Sequence, residues 1–135
     1  MMISTVSSAW HGLLPRILRE YREHYPEVEI SATSMSTTEQ IERLLTGSLD
    51  VGVLRSPIDQ PALETEVMIS DSLMVAIPAR HPLADRDQIE LRWLEDEHLV
   101  IFPRRYGPGG YDLIVEMCIE AGFNTGRSRR SRSTP

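Results

Sequence analysis

Three short β-type runs in the first 54 residues, separated by two amphipathic helical patterns, constrain the fold of this chain most. The runs cover residues 3–7, 28–34 and 50–54. The second run alternates apolar and polar residues, which is typical of a strand with one buried face. The third is almost continuously apolar, as in a parallel strand covered on both faces. Two strand–helix–strand passages therefore predict an α/β fold with a parallel sheet and right-handed crossovers.

The first helical pattern has apolar residues three or four positions apart, with charged residues opposite them. Pro15 must lie in the first turns of this helix, because an interior proline removes a backbone hydrogen bond and kinks the helix. Pro26 is predicted to end the helix. The apolar face comprises Leu13, Leu14, Ile17, Leu18, Tyr21 and Tyr25.

The second helical pattern begins with a capping box, a hydroxyl residue followed three positions later by Glu or Gln. Both Ser36 with Glu39 and Thr37 with Gln40 have this spacing, and the sequence leaves the choice open. Gly47 is predicted to end the helix, because glycine adopts the left-handed conformation at a helix end at little cost. The residues predicted to face inward are Ile41, Leu44 and Leu45.

The rest of the chain continues the alternation less regularly. It predicts two lobes, with the chain crossing from one to the other near residues 70–74. The helix that closes this part should turn an apolar face inward, formed by Leu113, Ile114, Met117 and Cys118. The signals indicate strands over residues 65–69, 73–77 and 99–102, a helical turn over 91–94, a Gly/Pro loop over 104–110 and a helix over 111–122.

Charge is distributed unevenly along the chain, whose formal net charge is −6. Residues 124–135 contain four of the 14 basic residues and none of the 20 acidic ones. The remaining body is acidic, which argues against direct binding to nucleic acid. The tail has no apolar residue after position 123 and is predicted to be disordered. It is either a basic arm that contacts nucleic acid or a terminus without a function.

Several kinds of chemistry have no motif here. A single cysteine excludes an internal disulfide, and no His/Cys spacing of a metal site, GxSxG elbow or phosphate-binding loop occurs. The N-terminus lacks the features of a secretory signal, and no apolar run is long enough to span a membrane. We therefore expect a cytoplasmic protein with no membrane contact, no catalytic residues, no metal and no cofactor.

Three polar residues follow the three predicted strands. Ser8 follows the first, Thr37 the second and Arg55 the third. The carboxyl ends of parallel strands share one edge of the sheet, where ligands bind in open α/β folds. Two helix N-termini, two hydroxyls and a guanidinium at that edge suit a small organic anion. Two N-cap residues and an exposed strand-end charge explain the spacing equally well.

Five segments, in this order, resemble the effector-binding domain of LysR-type transcriptional regulators, notably those that sense metabolites of aromatic degradation. The resemblance covers residues 2–123 and implies two Rossmann-like lobes, as in type-2 periplasmic binding proteins, with the effector between them. It implies a first lobe over residues 2–71, a partial second lobe over 72–123 and the tail over 124–135. The segments are residues 6–18, 25–28, 44–53, 79–83 and 102–109.

The resemblance also implies the ligand and its contacts. The ligand is a small carboxylate such as a muconate or benzoate, and Ser8, Thr37 and Arg55 contact it, with the two hydroxyl residues also capping helices. The segment 102–109 matches a further wall of the site. Its predicted contacts are Phe102, Pro103, Arg104 and Tyr106.

The family's N-terminal helix-turn-helix has no counterpart in this sequence, so the expectation is a truncated domain with two incomplete lobes that does not bind DNA directly. Two other functions stay open. The chain pairs with intact regulators, as a homo- or hetero-oligomer, through residues 28–34 and the first helix of the first lobe. Alternatively, it is a solute-binding component of a transporter, which requires a secretory signal.

Overall fold

The computed structural model describes residues 1–12 and 14–125. Their contacts divide them into two compact units. The first unit comprises Met1–Leu63 and Phe102–Leu113, and the second comprises Glu64–Ile101 and the described residues from Ile114 onward. The predicted lobe boundary after residue 71 stays a prediction. From residue 126 onward, the predicted disordered tail lies outside the described residues.

The first unit contains a three-stranded parallel sheet. Its strands are β1 (Met2–Thr5), β2 (Ser31–Ser34) and β3 (Val51–Val53), in the order β2-β1-β3. The sequence prediction of a parallel sheet is therefore confirmed. Strand β2 is shorter than the predicted run over residues 28–34, because only its four residues pair with the four residues of β1.

Helix α1 (Leu14–His24) follows a 3₁₀ helix over Ser7–His11. Pro15 is the second residue of α1, as its missing N–H requires. The predicted apolar residue Leu13 lies outside the described residues. Helix α1 packs on the sheet through two of its side chains, and the resulting core contains Ile3, Leu14 and Leu18, with Met1, Trp10, Ile30, Ala32 and Val53 packed around it.

Helix α2 (Thr37–Leu45) begins after Ser36, whose hydroxyl accepts a hydrogen bond from the backbone N–H of Glu39 at 3.2 Å. This settles the choice between the two capping boxes in favour of Ser36. The prediction that Leu45 faces inward is wrong, since its side chain is 48% exposed. Helix α2 turns Gln40 inward, and Leu45 lies about 140° around the helix from that residue. Gly47 follows the helix at φ 71°, as expected for a glycine at a helix end.

Helix α3 (Pro108–Glu120) begins three residues before the predicted start, because proline suits the first turn of a helix. It runs from the first unit into the second. Of its predicted apolar face, Cys118 is fully buried, whereas Leu113 is exposed. The prediction that Leu113 faces inward is therefore wrong, since it is 39% exposed.

The second unit contains a 3₁₀ helix over Leu91–Leu94, which confirms the predicted helical turn. The strands predicted over residues 65–69, 73–77 and 99–102 are wrong, since none of these described residues belongs to a strand. A strand requires a partner for its backbone, and these segments have none in the described sheet. Most of their large apolar side chains are correspondingly exposed: Val67, Met68, Ile69, Leu73, Met74, Val75, Val100 and Phe102.

Candidate functional site

Backbone hydrogen bonds continue past the carboxyl ends of the three strands. The N–H of Val6, just after β1, donates to the carbonyl of Val53 at 3.2 Å. The N–H of Met35, just after β2, donates to the carbonyl of Thr5 at 3.1 Å. The chain segments that leave the three strands therefore start from fixed positions at one edge of the sheet.

Ser8 and Arg55 meet at this edge. One terminal nitrogen of the Arg55 guanidinium, Nη2, donates to the Ser8 hydroxyl oxygen at 2.8 Å, although the residues are 47 positions apart in the chain. The predicted capping role of Ser8 is wrong, because Val6 is the N-cap of the 3₁₀ helix and makes no side-chain capping bond. The Ser8 oxygen instead accepts from the guanidinium. Its own O–H is still a donor that a carboxylate oxygen could accept.

Thr37 is the first residue of α2 and not its N-cap, so its predicted capping role is also wrong. Its side chain is only 7% exposed. The hydroxyl oxygen lies 3.7 Å from the position that a Cβ would take at Gly107. The chain before α3 thus lies close to Thr37, although a Cβ at Gly107 would still fit in ordinary van der Waals contact. Thr37 therefore lies in the first turn of α2, buried beside the segment that precedes α3.

The segment before α3 is anchored to α2. The Thr38 hydroxyl donates to the carbonyl of Arg105 at 2.8 Å, within a short 3₁₀ helix over Arg104–Tyr106 whose N-cap is Pro103. The Phe102 ring lies beside the same glycine as Thr37, with its Cε2 atom 3.6 Å from a Cβ position at Gly107. The structure thus brings the predicted contact Phe102 next to the predicted contact Thr37.

Arg104 is engaged by a carboxylate of its own chain. Its Nε and Nη2 atoms donate to the two Asp112 oxygens at 2.7 and 2.6 Å, a bidentate pair. These hydrogen bonds lower the pKa of the Asp112 carboxyl and raise the pKa of Arg104. This pair uses two of the five guanidinium N–H donors and offsets the positive charge, so Arg104 attracts an external carboxylate less than an unpaired arginine does. Sequence reasoning did not identify Asp112 as a partner of Arg104. The only local signal is that Asp112 lies eight residues after Arg104, on the following helix.

Tyr106 is exposed and is held by its neighbour. The guanidinium of Arg105 lies 4.5 Å from the centroid of the Tyr106 ring, and its Nη2 atom donates to the phenol oxygen at 3.0 Å. Phe102 meets the Tyr111 ring edge-on at 6.4 Å. The segment therefore offers aromatic faces next to the polar groups.

Other chemistry finds no support in residues 1–12 and 14–125. No group of three or more His, Cys, Asp and Glu side chains in these ranges is arranged to hold a metal ion. Desolvation raises the pKa of the buried Cys118 thiol, which keeps it neutral and poorly nucleophilic. No helix in the same part of the chain is long and apolar enough to cross a membrane. Two surface grooves run along α1, and neither is lined by Ser8, Thr37 or Arg55.

The family model of the LysR substrate binding domain matches residues 2–135. The chain belongs to the LysR substrate-binding-domain family. Its relatives are transcriptional regulators. The HTH-type regulator AlsR of Bacillus subtilis is 35% identical over 123 residues, which are 91% of this chain and 41% of AlsR. The regulator BenM of Acinetobacter baylyi is 38% identical over 123 residues, 90% of this chain and 40% of BenM. The chain thus spans about two fifths of the length of these curated relatives.

Solved structures of the LysR family agree with this membership. The effector-binding domain of BenM, solved with its effector benzoate, superposes with a TM-score of 0.79 at 30% sequence identity. The match covers 96% of this chain and 59% of that domain. The effector-binding domain of a BenM variant superposes on this chain with a TM-score of 0.83. The predicted type-2 periplasmic-binding-protein-like fold and the resemblance to LysR regulators are both confirmed.

Proposed function

We propose that this LysR-family chain senses a small organic carboxylate, which binds at the carboxyl edge of the sheet in the first unit. The observation that carries the proposal is the 2.8 Å hydrogen bond between Arg55 and Ser8. It unites a cation with a hydroxyl donor at the edge where ligands bind in open α/β sheets. Because the relatives are transcriptional regulators, we propose a sensing domain and not an enzyme.

The chemistry of these groups matches a carboxylate. A guanidinium carries five N–H donors in a planar fork, and the bond to Ser8 uses one of them. The remaining donors can hold a carboxylate in a bidentate pair, while the Ser8 O–H donates to the same group. Thr37 adds a hydroxyl at the N-terminus of α2, where the helix dipole favours a negative charge.

The segment 102–106 favours an aromatic or conjugated acid. Phe102 and Tyr106 are each about half exposed, and Phe102 lies against the same glycine as Thr37. Their rings, together with Pro103, give an apolar surface for the body of the ligand. Arg104 can contribute only its remaining N–H donors, since two of the five are bound to Asp112. Benzoate, the effector in the BenM structure, has the size and charge that this arrangement suits.

Isothermal titration calorimetry with benzoate and with a muconate tests the proposal. We expect one-site binding to the wild-type chain. The Arg55→Ala variant should bind about 10- to 150-fold more weakly, since hydrogen bonds to charged groups contribute about 1.5–3 kcal/mol. The control is Arg80→Ala, which removes an exposed arginine from the second unit. Equal heats for wild type and Arg55→Ala would exclude Arg55 from the site, and no heat from the wild type with any tested acid would contradict the function.

A second candidate function is pairing with other LysR-family chains. Strand β2 lies at an edge of the sheet, with β1 on one side only, and α1 carries a groove lined by Trp10, Leu18 and Ala32. An edge strand offers unpaired backbone groups to another chain. Co-purification of a full-length LysR regulator with this chain, compared with a β2 variant carrying Ala32→Pro, tests pairing separately from sensing. The regulator relatives favour a cytoplasmic location and argue against a role in solute transport.

A further inference from the structure

One buried side chain connects the ends of two strands, and sequence reasoning treated it only as part of a capping box. Gln40, on the inner face of α2, is fully buried and is the largest of the fully buried side chains. Its amide nitrogen Nε2 donates to the carbonyl of Met35 at 3.1 Å and reaches the carbonyl of Val53 at 3.5 Å. One carboxamide therefore links the residue after β2 with the last residue of β3.

This link closes a ring of hydrogen bonds around the carboxyl edge. Val6 donates to Val53, Gln40 bridges Val53 and Met35, and Met35 donates to Thr5 beside Val6. We call Val6, Met35 and Val53, held by Gln40, the strand-end ring. All three strands enter it, and Gln40 is its only side-chain member.

Each proposed carboxylate contact lies two residues after a member of the strand-end ring. Ser8 follows Val6, Thr37 follows Met35 and Arg55 follows Val53, always with one residue between them. Two residues extend at most about 7 Å, so a shift of a ring member is passed almost directly to the contact. The spacing of the three contacts therefore depends on the length and direction of the Gln40 side chain.

The carbonyl oxygen of the Gln40 carboxamide, Oε1, lies in an unfavourable environment. Gln40 Oε1 is buried without a hydrogen-bond partner among the described residues. It lies 3.0 Å from the position that a Cβ would take at Gly52, in the middle of β3. An unsatisfied buried acceptor costs about 1–3 kcal/mol, so an apolar side chain of the same shape would suit this space better for stability alone. The two N–H···O contacts of Gln40 Nε2 account for an amide, and not an apolar side chain, at this position.

We infer that Gln40 is a positioning residue for the carboxylate site, setting the distances between Ser8, Thr37 and Arg55 through the strand-end ring. This inference rests on the proposed function. Gln40 itself does not touch the ligand, since its side chain is fully buried beneath the edge.

The variant Gln40→Met tests the inference, because methionine has a similar length and no N–H donor. We expect benzoate affinity to fall about five- to tenfold, in line with the loss of one or two neutral hydrogen bonds. We also expect the ratio of benzoate to benzamide affinity to fall, since misplaced contacts lose their preference for the charged group. The control is Leu44→Met, one turn further along α2, where Cδ1 also lies 3.1 Å from the Cβ position at Gly52 but makes no hydrogen bond.

The variant Gln40→Glu provides a pH profile that a purely structural role does not predict. A buried glutamate has a raised pKa, and its protonated form carries one O–H donor that can replace Nε2. Benzoate affinity of this variant should recover as the pH is lowered from about 9 to about 6, while that of the wild type stays level. Thermal melts of all variants establish that they are folded.

The outcomes separate the two proposals. A wild-type chain that gives no heat with benzoate or muconate overturns both the function and the inference. A wild-type chain that binds, together with a Gln40→Met variant of unchanged affinity and unchanged benzoate-to-benzamide ratio, overturns the inference alone. The same holds if Leu44→Met lowers the affinity and the ratio as much as Gln40→Met does.

Discussion

The two units use similar β-type sequence in different ways. In the first unit, three short β-type runs pair as parallel strands, and β1 has a partner on each side. In the second unit, the apolar runs over residues 65–69 and 73–77 form no strand, and Met74 is 93% exposed. An apolar run becomes a strand only where another strand can satisfy its backbone. The polar groups of the candidate site have fixed positions because they follow segments that pair as β-strands.

The second unit is held mainly by turns and a few side-chain contacts. His81 donates its backbone N–H to Pro78 at 2.9 Å, and its ring lies 3.1 Å from a Glu97 carboxylate oxygen. The Arg86 guanidinium stacks over the Trp93 ring at 4.9 Å. These contacts leave many apolar side chains of the unit in solvent, among them Met74 and Val100, so we expect substitutions to affect the two units very differently.

The largest difference should appear on truncating one apolar side chain in each unit. Leu18→Ala removes a side chain that is only 7% exposed, in the core formed by α1 and β1, and should lower the free energy of unfolding by about 2–5 kcal/mol. Met74→Ala removes an exposed side chain and should change it by about 0.5 kcal/mol or less. Urea denaturation followed by circular dichroism measures both. Equal losses would mean that the second unit has a core of its own around Met74.

A smaller effect should separate two neighbouring glycines in the first turn of α3. A Cβ at Gly109 would overlap the backbone carbonyl oxygen of Pro57, so Gly109→Ala must displace backbone and should destabilise the chain by about 1–3 kcal/mol. A Cβ at Gly110 meets only the Phe102 ring, at 3.4 Å. Gly110→Ala should therefore gain up to about 1 kcal/mol from helix propensity. Denaturation midpoints of the two variants check the opposite signs, and destabilisation of equal size in both would contradict the close approach of α3 to Pro57.

The smallest effect concerns the exposed pair of Arg104 and Asp112. The hydrogen bonds from Arg104 lower the pKa of the Asp112 carboxyl. A lowered pKa in the folded state stabilises the fold above the unfolded-state pKa, and this contribution disappears as the pH falls through the folded-state value. An NMR titration should show the Asp112 midpoint rising in Arg104→Gln, and partly rising in about 1 M salt. An identical midpoint in wild type and variant would show that the pair does not persist in solution.

Local patterns predicted much of the first unit. Apolar periodicity located β1, β3, α1 and α2 within a few residues, because a period of two or of 3.6 is a property of neighbouring residues. The edge position of Ser8, Thr37 and Arg55 followed from strand direction alone. Helix capping was less accurate, because Ser36 and Thr37 have the same motif and only the backbone geometry at the helix start separates them.

The candidate site was predicted only in part. The bond between Arg55 and Ser8 and the bond between Thr38 and Arg105 join residues 47 and 67 positions apart. No local period encodes such contacts. The engagement of Arg104 by Asp112 changes what the sequence implied for Arg104, since a guanidinium that is already paired does not offer its donors freely.

The sequence by itself determined the family, the alternation of strands and helices, and the three polar residues that follow the strands. Each of these depends on residues that lie close together in the chain. The tertiary structure decided which apolar runs became strands, which hydroxyl caps α2 and how Gln40 ties the strand ends together. The physical reason is that burial and hydrogen bonding at these positions depend on partners from distant segments. Those partners are present around β1 and missing around the apolar runs of the second unit among the described residues.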